Sequence, residues 1–449
     1  MKKKYSIVFI FLVLAVGTAC DDYLDVKPDQ SLVVPSTMED IRLLLDNTTV
    51  LNKQPVLTLH GGDEYFVSDE GLPTLGLPEQ GAYLWLDDLF QGDPAYDWST
   101  PYQQVFYANV ALDALEEIPY KDGVDYKTLR GEALFHRAHA YYHLLQEFAP
   151  PYQLGGENEQ LLGIILKDSP DVNSKAERST LEESYSRVLM DLTEAATLLP
   201  DFQLPKSRPT KAAALGMLAR LKLCMFDYEG ASDAAEEALE IYTERLDFNN
   251  IDVAANRPFV RFGEETVFYS ELVTVTFIFS SEVFVDTTLI ESYQPGDLRL
   301  QAYFDQVGEN RYQERGRLTG NILSFGGLST GELELMAAEG LAWIGEEEKA
   351  REYLNSLLSR RIKPESFIPV DAVGEDLVNE ILLERKKELV GRGLRWTDLR
   401  RLNQYPEHSK KVERIVEGQL ISLEPNSLNY VFPIPDEEIV LSGVKQNAR

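Results

Sequence analysis

Hydrophobic residues recur at helical spacing over much of the chain. Leu134, Ala138 and Tyr141 lie three or four positions apart and would form one apolar stripe on a helix. Thr180 and Glu183 have the spacing of a capping box, which marks the start of another helix. The same criteria predict helices at residues 38–45, 101–117, 128–148, 180–199, 210–226, 230–243, 331–343, 346–361 and 374–390.

Two long stretches interrupt this helical pattern. Residues 51–97 contain many glycines, prolines and aromatic residues without a sustained period, which predicts long loops with short irregular elements. Residues 246–330 contain β-prone runs at 266–269 and 273–279. The proline-rich tail at 429–449 is expected to be extended. Because long loops in a compact domain usually carry function, the first stretch is a natural place for a binding site.

Two of the predicted helix pairs resemble each other. Ala219 and Ala231 are twelve residues apart across one helix junction, and Ala338 and Ala350 repeat that spacing across another. Small side chains let two helix backbones approach closely, as in helix hairpins of the tetratricopeptide type. The two copies are not in tandem, so we expect a helical scaffold interrupted by long insertions.

Composition narrows the class of protein. Hydrophobic residues make up 44% of the chain and aromatic residues 10%, which supports a large core and is untypical of disorder. The formal net charge is −31, which argues against nucleic acid as a partner because phosphate backbones bind clustered Lys and Arg. The same charge argues against docking on an anionic membrane through a basic face. It is typical of the solvated surface of an exported protein.

Residues 1–19 have the features of an export signal. Three lysines precede an apolar run at 7–16, and the small residues Gly17 and Ala19 follow it. The apolar run is shorter than the about 20 residues that a membrane span needs. Cys20 would then be the first mature residue and a site of lipid attachment. Gly17 and Ala19 also fit ordinary secretory cleavage, which would leave Cys20 unmodified.

Three histidines share one face of the predicted helix at 128–148. His136, His139 and His143 are spaced three and four residues apart, and Glu132 lies one turn earlier. This spacing is compatible with metal ligands. A polar face that is solvated or packed between helices explains it equally well, and no metal site is predicted.

The segment Gly327–Gly331 matches the G-x-S-x-G pattern of serine hydrolases, with Ser329 as the nucleophile. However, Ser329 and Glu332 also form a capping box for the helix that follows. The chain lacks the alternating strand–helix pattern of a hydrolase sheet, so capping is favoured. No catalytic residue and no cofactor are predicted.

Aromatic residues in the irregular stretches are the better candidates for ligand binding. Sugars lay their C–H faces on aromatic rings, while polar side chains bind their hydroxyl groups. Loops on a rigid scaffold are where such platforms occur. If residues 82–86 are extended, two of these rings share one face. The candidates are Trp85, Tyr65, Tyr83 and Tyr96, followed by Tyr293 and Tyr312 in the second irregular stretch.

Six segments of the chain carry a resemblance to one protein family. Three lie in the first half: CDDYLDVKP at residue 20, GEALFHRAHAYY at 131 and RPTKAAA at 208. Three form a C-terminal signature: ERKKEL at 384, LRWTDL at 394 and FPIP at 432. With these segments the chain resembles the SusD/RagB family of surface nutrient-binding lipoproteins of Bacteroidetes. Gly391 and Arg392 depart from the signature, since the family usually carries an aromatic residue and an acid there.

The resemblance implies a mostly α-helical protein with a SusD-like fold. Four helix pairs of tetratricopeptide type would pack against an irregular, loop-rich, ligand-binding half with a few short strands. After the signal peptide at 1–19, residues 20–449 would form one domain. Its parts are an N-terminal arm with binding loops (20–98), a helical scaffold (99–245), an irregular insertion (246–330) and the C-terminal helix pairs with the signature (331–449).

The resemblance also implies a partner and a place. The protein would be anchored in the outer membrane through lipid on Cys20 and would sit as a lid on a SusC-like TonB-dependent barrel. It would capture an oligosaccharide, or in some members a peptide, without catalysis. Two other interpretations remain open at this point: a glycan-cleaving enzyme of the same locus, and a scaffold that only holds a protein partner.

Overall fold

The structure, a computed structural model, describes residues 35–449. Sixteen α-helices account for most of the regular structure in this range. They are α1 Met38–Leu45, α2 Thr48–Leu51, α3 Leu57–Gly61, α4 Leu77–Leu84, α5 Tyr96–Glu116, α6 Val124–Phe148, α7 Leu181–Leu198, α8 Lys211–Cys224, α9 Tyr228–Ile241, α10 Thr287–Glu291, α11 Leu298–Tyr303, α12 Thr330–Trp343, α13 Glu347–Ser359, α14 Gly374–Glu388, α15 Arg395–Leu402 and α16 Asp436–Ser442.

The strands are short and form only two-stranded sheets in the described range. β1 and β6 pair in parallel, and the other five pairs are antiparallel. The strands are β1 Lys53–Gln54, β2 Tyr65–Val67, β3 Leu162–Ile165, β4 Arg178–Thr180, β5 Thr266–Phe268, β6 Glu271–Leu272, β7 Val283–Val285, β8 Phe304–Gly308, β9 Arg311–Glu314, β10 Leu328–Ser329, β11 Val412–Val416 and β12 Gln419–Leu423. The fold is therefore mostly helical, as the resemblance implies.

Consecutive long helices pack against each other along the chain. α5 packs on α6, α6 on α7, α8 on α9 and α12 on α13. The four alanines that mark the two similar pairs are completely buried, as the close approach of the helices requires. α9 also packs on α12, where a Cβ on Gly340 would lie 2.5 Å from the carbonyl oxygen of Tyr228. Small residues thus set the spacing between these helices.

The hydrophobic core has distinct parts. The largest apolar cluster lies among α5 to α9, α12 and the C-terminal segment, and it includes the apolar stripe of α6. A second cluster holds the irregular stretches together and includes Tyr65, Phe277 and Tyr303. The irregular half is therefore a packed body, and it can hold side chains in fixed positions.

The C-terminal signature is a buried ion-pair network. In ERKKEL, Glu384 and Glu388 accept hydrogen bonds from Arg299, at 2.6 and 3.2 Å. In LRWTDL, Asp398 accepts from Arg385 at 2.8 Å, and Trp396 is fully buried. Charged groups can be buried at this density only when each is paired, so these motifs have a structural role.

Several sequence-based expectations differ from the structure in detail. The shared face of Tyr83 and Trp85 depends on an extended segment at 82–86, but these residues end α4 and leave Trp85 in the left-handed conformation at φ 56°. The run at 273–279 contains a 3-10 turn, Phe277–Phe279, rather than a long strand. The tail includes α16 and is not extended throughout. Local β propensity was overridden by packing in the irregular half. No helix of residues 35–449 is long and apolar enough to cross a membrane.

Candidate functional site

Tyr83 and Trp85 pack in the interior around one arginine. The Tyr83 hydroxyl accepts the backbone N–H of Val67 at 3.0 Å, and Trp85 Nε1 donates to the carbonyl of Gly61 at 3.1 Å. The guanidinium of Arg414 lies 3.8 Å from the Tyr83 ring centre and 4.4 Å from that of Trp85. Their contacts are structural, and because α4 is helical the condition for a shared extended face is not met. A ligand-binding role for either ring stays a prediction.

The other candidate rings differ in exposure. Tyr293 is buried, and its hydroxyl donates to the carbonyl of Lys387 at 2.8 Å. Tyr312 is half-buried on β9, opposite Gln306 of β8. Tyr96 begins α5 and is 58% exposed. Cys20 lies outside the described residues, so its lipid attachment stays a prediction.

Tyr65 lines a cavity of about 170 Å³ in the irregular half. Its hydroxyl donates to Glu314 Oε2 at 3.0 Å, and Arg317 Nε donates to Glu314 Oε1 at 3.0 Å. The Tyr65 ring meets Phe277 edge to face, with ring centres 5.6 Å apart. Phe279 also lines the cavity and is 48% exposed. We call this site the Tyr65 pocket.

Two polar groups of the Tyr65 pocket, Tyr65 and Arg317, are held in one charge state. Burial raises the pKa of Tyr65 well above its usual value, and the neighbouring charge of Glu314 adds to this effect. The phenol therefore remains a hydrogen-bond donor at neutral pH. Burial lowers the pKa of Arg317, but the Glu314 carboxylate raises it by more, and the net shift is upward. The pocket thus presents aromatic rings next to a fixed carboxylate and guanidinium, together with the amide of Gln313.

Gly391, where the chain departs from the family signature, packs against the Glu314 side chain of this pocket. It has φ +75°, and a Cβ there would lie 2.6 Å from Glu314 Oε2. A side chain at this position would therefore displace the Glu314 carboxylate. The departure leaves room for the Glu314–Arg317 pair.

Phe279, Glu314 and Arg317 belong to the pocket but stand in no sequence pattern that points to a site. Phe277 and Phe279 stood in a run that was expected to be a strand, and a 3-10 turn places Phe279 at the surface instead. Glu314 and Arg317 are 249 and 252 positions after Tyr65, and no local pattern links them. The only sequence signal was the unusual density of aromatic residues in the run at 273–279.

A larger groove of about 700 Å³ lies along α5. Trp98, Tyr102 and Phe106 follow one another at intervals of four residues on one face of the helix, and residues 169–176 and α16 form the other wall. Trp98 packs edge to face on Phe148, with ring centres 5.0 Å apart. The Tyr102 hydroxyl donates to the carbonyl of Ile165 at 3.2 Å. We call this the α5 groove.

The histidine face of α6 is buried. His139 Nε2 and His143 Nε2 lie 3.3 Å apart, and burial lowers the pKa of both residues. His136 is buried as well and packs near Phe135 and Phe268. Of the two explanations offered above, the packed inter-helix face matches the structure. No group of three potential metal ligands occurs within residues 35–449.

Ser329 caps α12. Its hydroxyl accepts the backbone N–H of Glu332 at 3.4 Å and a hydrogen bond from Arg392 Nη1 at 2.8 Å. The side chain is buried, and its bonded neighbours are an arginine and a backbone amide, neither of which acts as a general base. The capping interpretation is confirmed.

Comparison with known proteins identifies relatives over nearly the whole chain. A family model described as "Starch-binding associating with outer membrane" matches residues 22–223, and the model of the SusD family matches residues 330–448. SusD-like protein P2 of Formosa agariphila is 25% identical, with 98% of this chain and 97% of that protein covered. SusD-like protein P38 of the same organism is 23% identical, with 93% and 95% covered.

Solved structures share the fold. A SusD superfamily protein from Bacteroides vulgatus has a TM-score of 0.74 at 22% identity, covering 92% of this chain and 99% of that one. A SusD superfamily protein from Bacteroides thetaiotaomicron also has a TM-score of 0.74, at 21% identity, covering 92% and 100%. A structure described as a laminarin binding SusD-like protein has a TM-score of 0.66 at 17% identity, covering 91% and 98%.

Proposed function

The chain belongs to the SusD/RagB family, and from this premise we propose that it is a cell-surface lipoprotein that captures an oligosaccharide. It hands the sugar to a SusC-like TonB-dependent transporter in the outer membrane and does not cleave it. The observation that carries the proposal is the Tyr65 pocket, where aromatic rings and fixed polar groups face one cavity on the irregular half of the fold.

The chemistry of the Tyr65 pocket suits a saccharide. The half-exposed ring of Phe279 offers an apolar face for the C–H groups of a pyranose. The Glu314 carboxylate can accept hydrogen bonds from sugar hydroxyls, and Arg317 can donate to them. Because these groups already bind one another, little ordering is needed when a ligand arrives.

The N-terminal sequence supports the proposed place of the protein, and the family resemblance supports the proposed partner. Lipid on Cys20 would add three acyl chains, and each buried methylene contributes about 0.8 kcal/mol, so the anchor would hold durably. The acidic residues after Cys20 would form a tether long enough for a lid to move on its barrel. This part of the proposal rests on the sequence and on the family resemblance.

Binding to a panel of neutral and acidic oligosaccharides tests the proposal, with affinity measured by titration calorimetry. Phe279→Ala is expected to weaken binding of the best ligand by about two- to twelvefold, since one stacked ring contributes about 0.5–1.5 kcal/mol. Phe202→Ala is the matched control, because Phe202 is also exposed and lies outside the described cavities. Loss of affinity in both variants, or in neither, would contradict the site.

Three further measurements distinguish glycan capture from peptide binding, glycan cleavage and a pure scaffold role. A peptide that binds when no glycan does would favour the peptide-binding variant of the proposal. Reducing ends that accumulate during long incubation with the bound glycan would indicate an enzyme. Co-purification with a barrel but no ligand of either kind would favour a pure assembly scaffold.

A further inference from the structure

Three cationic side chains converge on one carboxylate beside α14 and α15. Arg395 Nε donates to Asp63 Oδ1 at 2.7 Å, Lys410 Nζ donates to Asp63 Oδ2 at 2.6 Å, and Lys386 Nζ donates to the same oxygen at 3.3 Å. One negative charge thus serves three positive ones. In a chain with 74 acidic and 43 basic residues, such a local excess of positive charge runs against the composition.

These cations face a cavity, and Asp63 does not. A cavity of about 400 Å³ is lined by Lys386, Arg395 and Lys410 over an apolar floor that includes Leu289 and Leu402. Glu407, which is exposed, is the one acidic residue in this lining. Asp63 does not line the cavity, and its side chain is only 8% exposed. The three cationic groups therefore line the cavity without their carboxylate partner.

The cationic groups have hydrogen-bond capacity left for a ligand. Each lysine ammonium has three donors, and one from each is used on Asp63. Arg395 uses Nε and Nη2 on Asp63, and within residues 35–449 its Nη1 makes no hydrogen bond. Burial lowers the pKa of Lys386; the charges of Arg395 and Lys410 add to this, and those of Asp63 and Asp286 oppose it. The three cationic groups thus share one directly bonded carboxylate and keep free donors.

Glu64, the residue after Asp63, adds little negative charge to the cationic cluster. Burial, with the charge of Asp63, raises the pKa of Glu64 to about 8, so this carboxyl is largely protonated at neutral pH. The charge of Glu314 also contributes to that shift. His408 lines the cavity too, but its Nε2 lies 3.1 Å from Glu375.

We propose that this cavity, the Lys386–Arg395–Lys410 site, binds an oxyanion, carboxylate or sulfate, carried by an acidic oligosaccharide. Charge-assisted hydrogen bonds from lysine and arginine are the usual means of recognising such groups. The apolar floor would take the ring that bears the anionic group. The glycan part of this inference rests on the proposed function, and the oxyanion part does not.

Two ligand arms test the two parts. Inorganic sulfate probes the oxyanion site alone, with sodium chloride at equal ionic strength as the reference and the melting temperature of the purified protein as the readout. A neutral oligosaccharide and its sulfated or uronate counterpart, titrated by calorimetry, probe the glycan.

Lys410→Met is the test variant because Lys410 is 45% exposed and its loss should not unfold the protein. Lys411→Met is the matched control: Lys411 is 42% exposed, pairs with Glu413 and Glu424, and does not line the cavity. We expect sulfate to raise the melting temperature of wild type and Lys411→Met more than that of Lys410→Met. The acidic oligosaccharide should bind at least about tenfold more tightly than the neutral one, and Lys410→Met should remove most of this difference.

The outcomes are separable. An equal sulfate effect in all three proteins would overturn the oxyanion site. Equal affinity for the acidic and the neutral oligosaccharide would overturn the acidic glycan. Selective stabilisation by sulfate with no binding of either oligosaccharide would support the oxyanion site, while the glycan ligand and the proposed function would both be rejected.

Discussion

Arg220 on α8 and Glu332 on α12 form a two-point ion pair in the interior. Arg220 Nε lies 2.8 Å from Glu332 Oε1 and its Nη2 lies 2.9 Å from Oε2. Arg392 donates to the same carboxylate at 2.5 Å. Burial raises the pKa of Glu332, but the charges of the two arginines outweigh burial, and the net shift is downward. This carboxylate thus ties the central helix pair to the C-terminal signature.

Replacing Arg220 by Met should destabilise the fold strongly. The change removes one of two partners from a buried carboxylate, and breaking such a pair costs about 3–5 kcal/mol. Urea unfolding at pH 7 measures the loss. Arg130→Met is the control, because the Arg130–Glu194 pair is partly exposed and should contribute about 1 kcal/mol or less. Similar losses in the two variants would contradict the account.

The buried histidines should make the protein acid-sensitive. Burial, with the charge of Arg220, lowers the pKa of His143 to about 3, whereas an unfolded histidine titrates near pH 6.5. The unfolded state therefore binds more protons between these values. Stability is present above pH 6.5 and is lost as the pH falls towards 3, by about 1.4 kcal/mol per pH unit for each such histidine.

His143→Gln should reduce this acid slope. Unfolding free energies from urea titrations at pH 6.5, 5.5 and 4.5 should fall less steeply in the variant than in wild type, by about one proton's share. Tyr142→Phe, which changes the adjacent buried residue, should keep the wild-type slope. If His143→Gln has the wild-type slope as well, His143 takes up its proton in the folded state and its burial has been misjudged.

Glu64 should make the protein less stable as the pH rises, whereas the buried histidines make it less stable as the pH falls. Its folded pKa of about 8 lies above that of an unfolded glutamate, so its contribution to stability is complete below about pH 4.3 and is lost as the pH rises through 8. Glu64→Gln removes this titration. Relative to wild type, the variant should gain stability between pH 5 and pH 8.5 in urea unfolding. Glu157→Gln, at an exposed position, controls for the loss of one carboxylate.

Cys20 tests the anchor. Cys20→Ala should leave the melting temperature unchanged and should move the protein from the outer-membrane fraction to the soluble fraction. Cys224→Ala is the control, because Cys224 is buried at the end of α8 and should not affect localisation. A Cys20→Ala protein that remains in the membrane fraction would exclude lipid on this residue as the anchor.

The helical scaffold could be predicted because its signals are local. The stripe on α6 and the capping box of α7 depend on residues three or four apart, and both are present in the structure. The burial of Tyr83 and Trp85 could not be predicted in the same way. Arg414, which lies over both rings, comes more than 300 residues later. Propensity in the aromatic loops was outweighed by such distant partners.

In the candidate site, too, local signals could be predicted and contacts between distant residues could not. Tyr65 was identified from the aromatic density around it, but its ring is buried and its polar partners come from β9 and the loop that follows. Phe279, the exposed ring of the pocket, lay in a run that was expected to be a strand. The cationic site on Asp63 also unites distant positions, so no local motif indicates it.

The crystal structure of the protein with its tightest-binding oligosaccharide tests the central claim most directly. The account predicts a sugar ring against Phe279, with hydroxyl groups within hydrogen-bond distance of the Glu314 or Arg317 side chains. A structure with no sugar ring in the Tyr65 pocket, for example with the sugar only in the α5 groove against Tyr102 and Phe106, would contradict the assignment of that pocket.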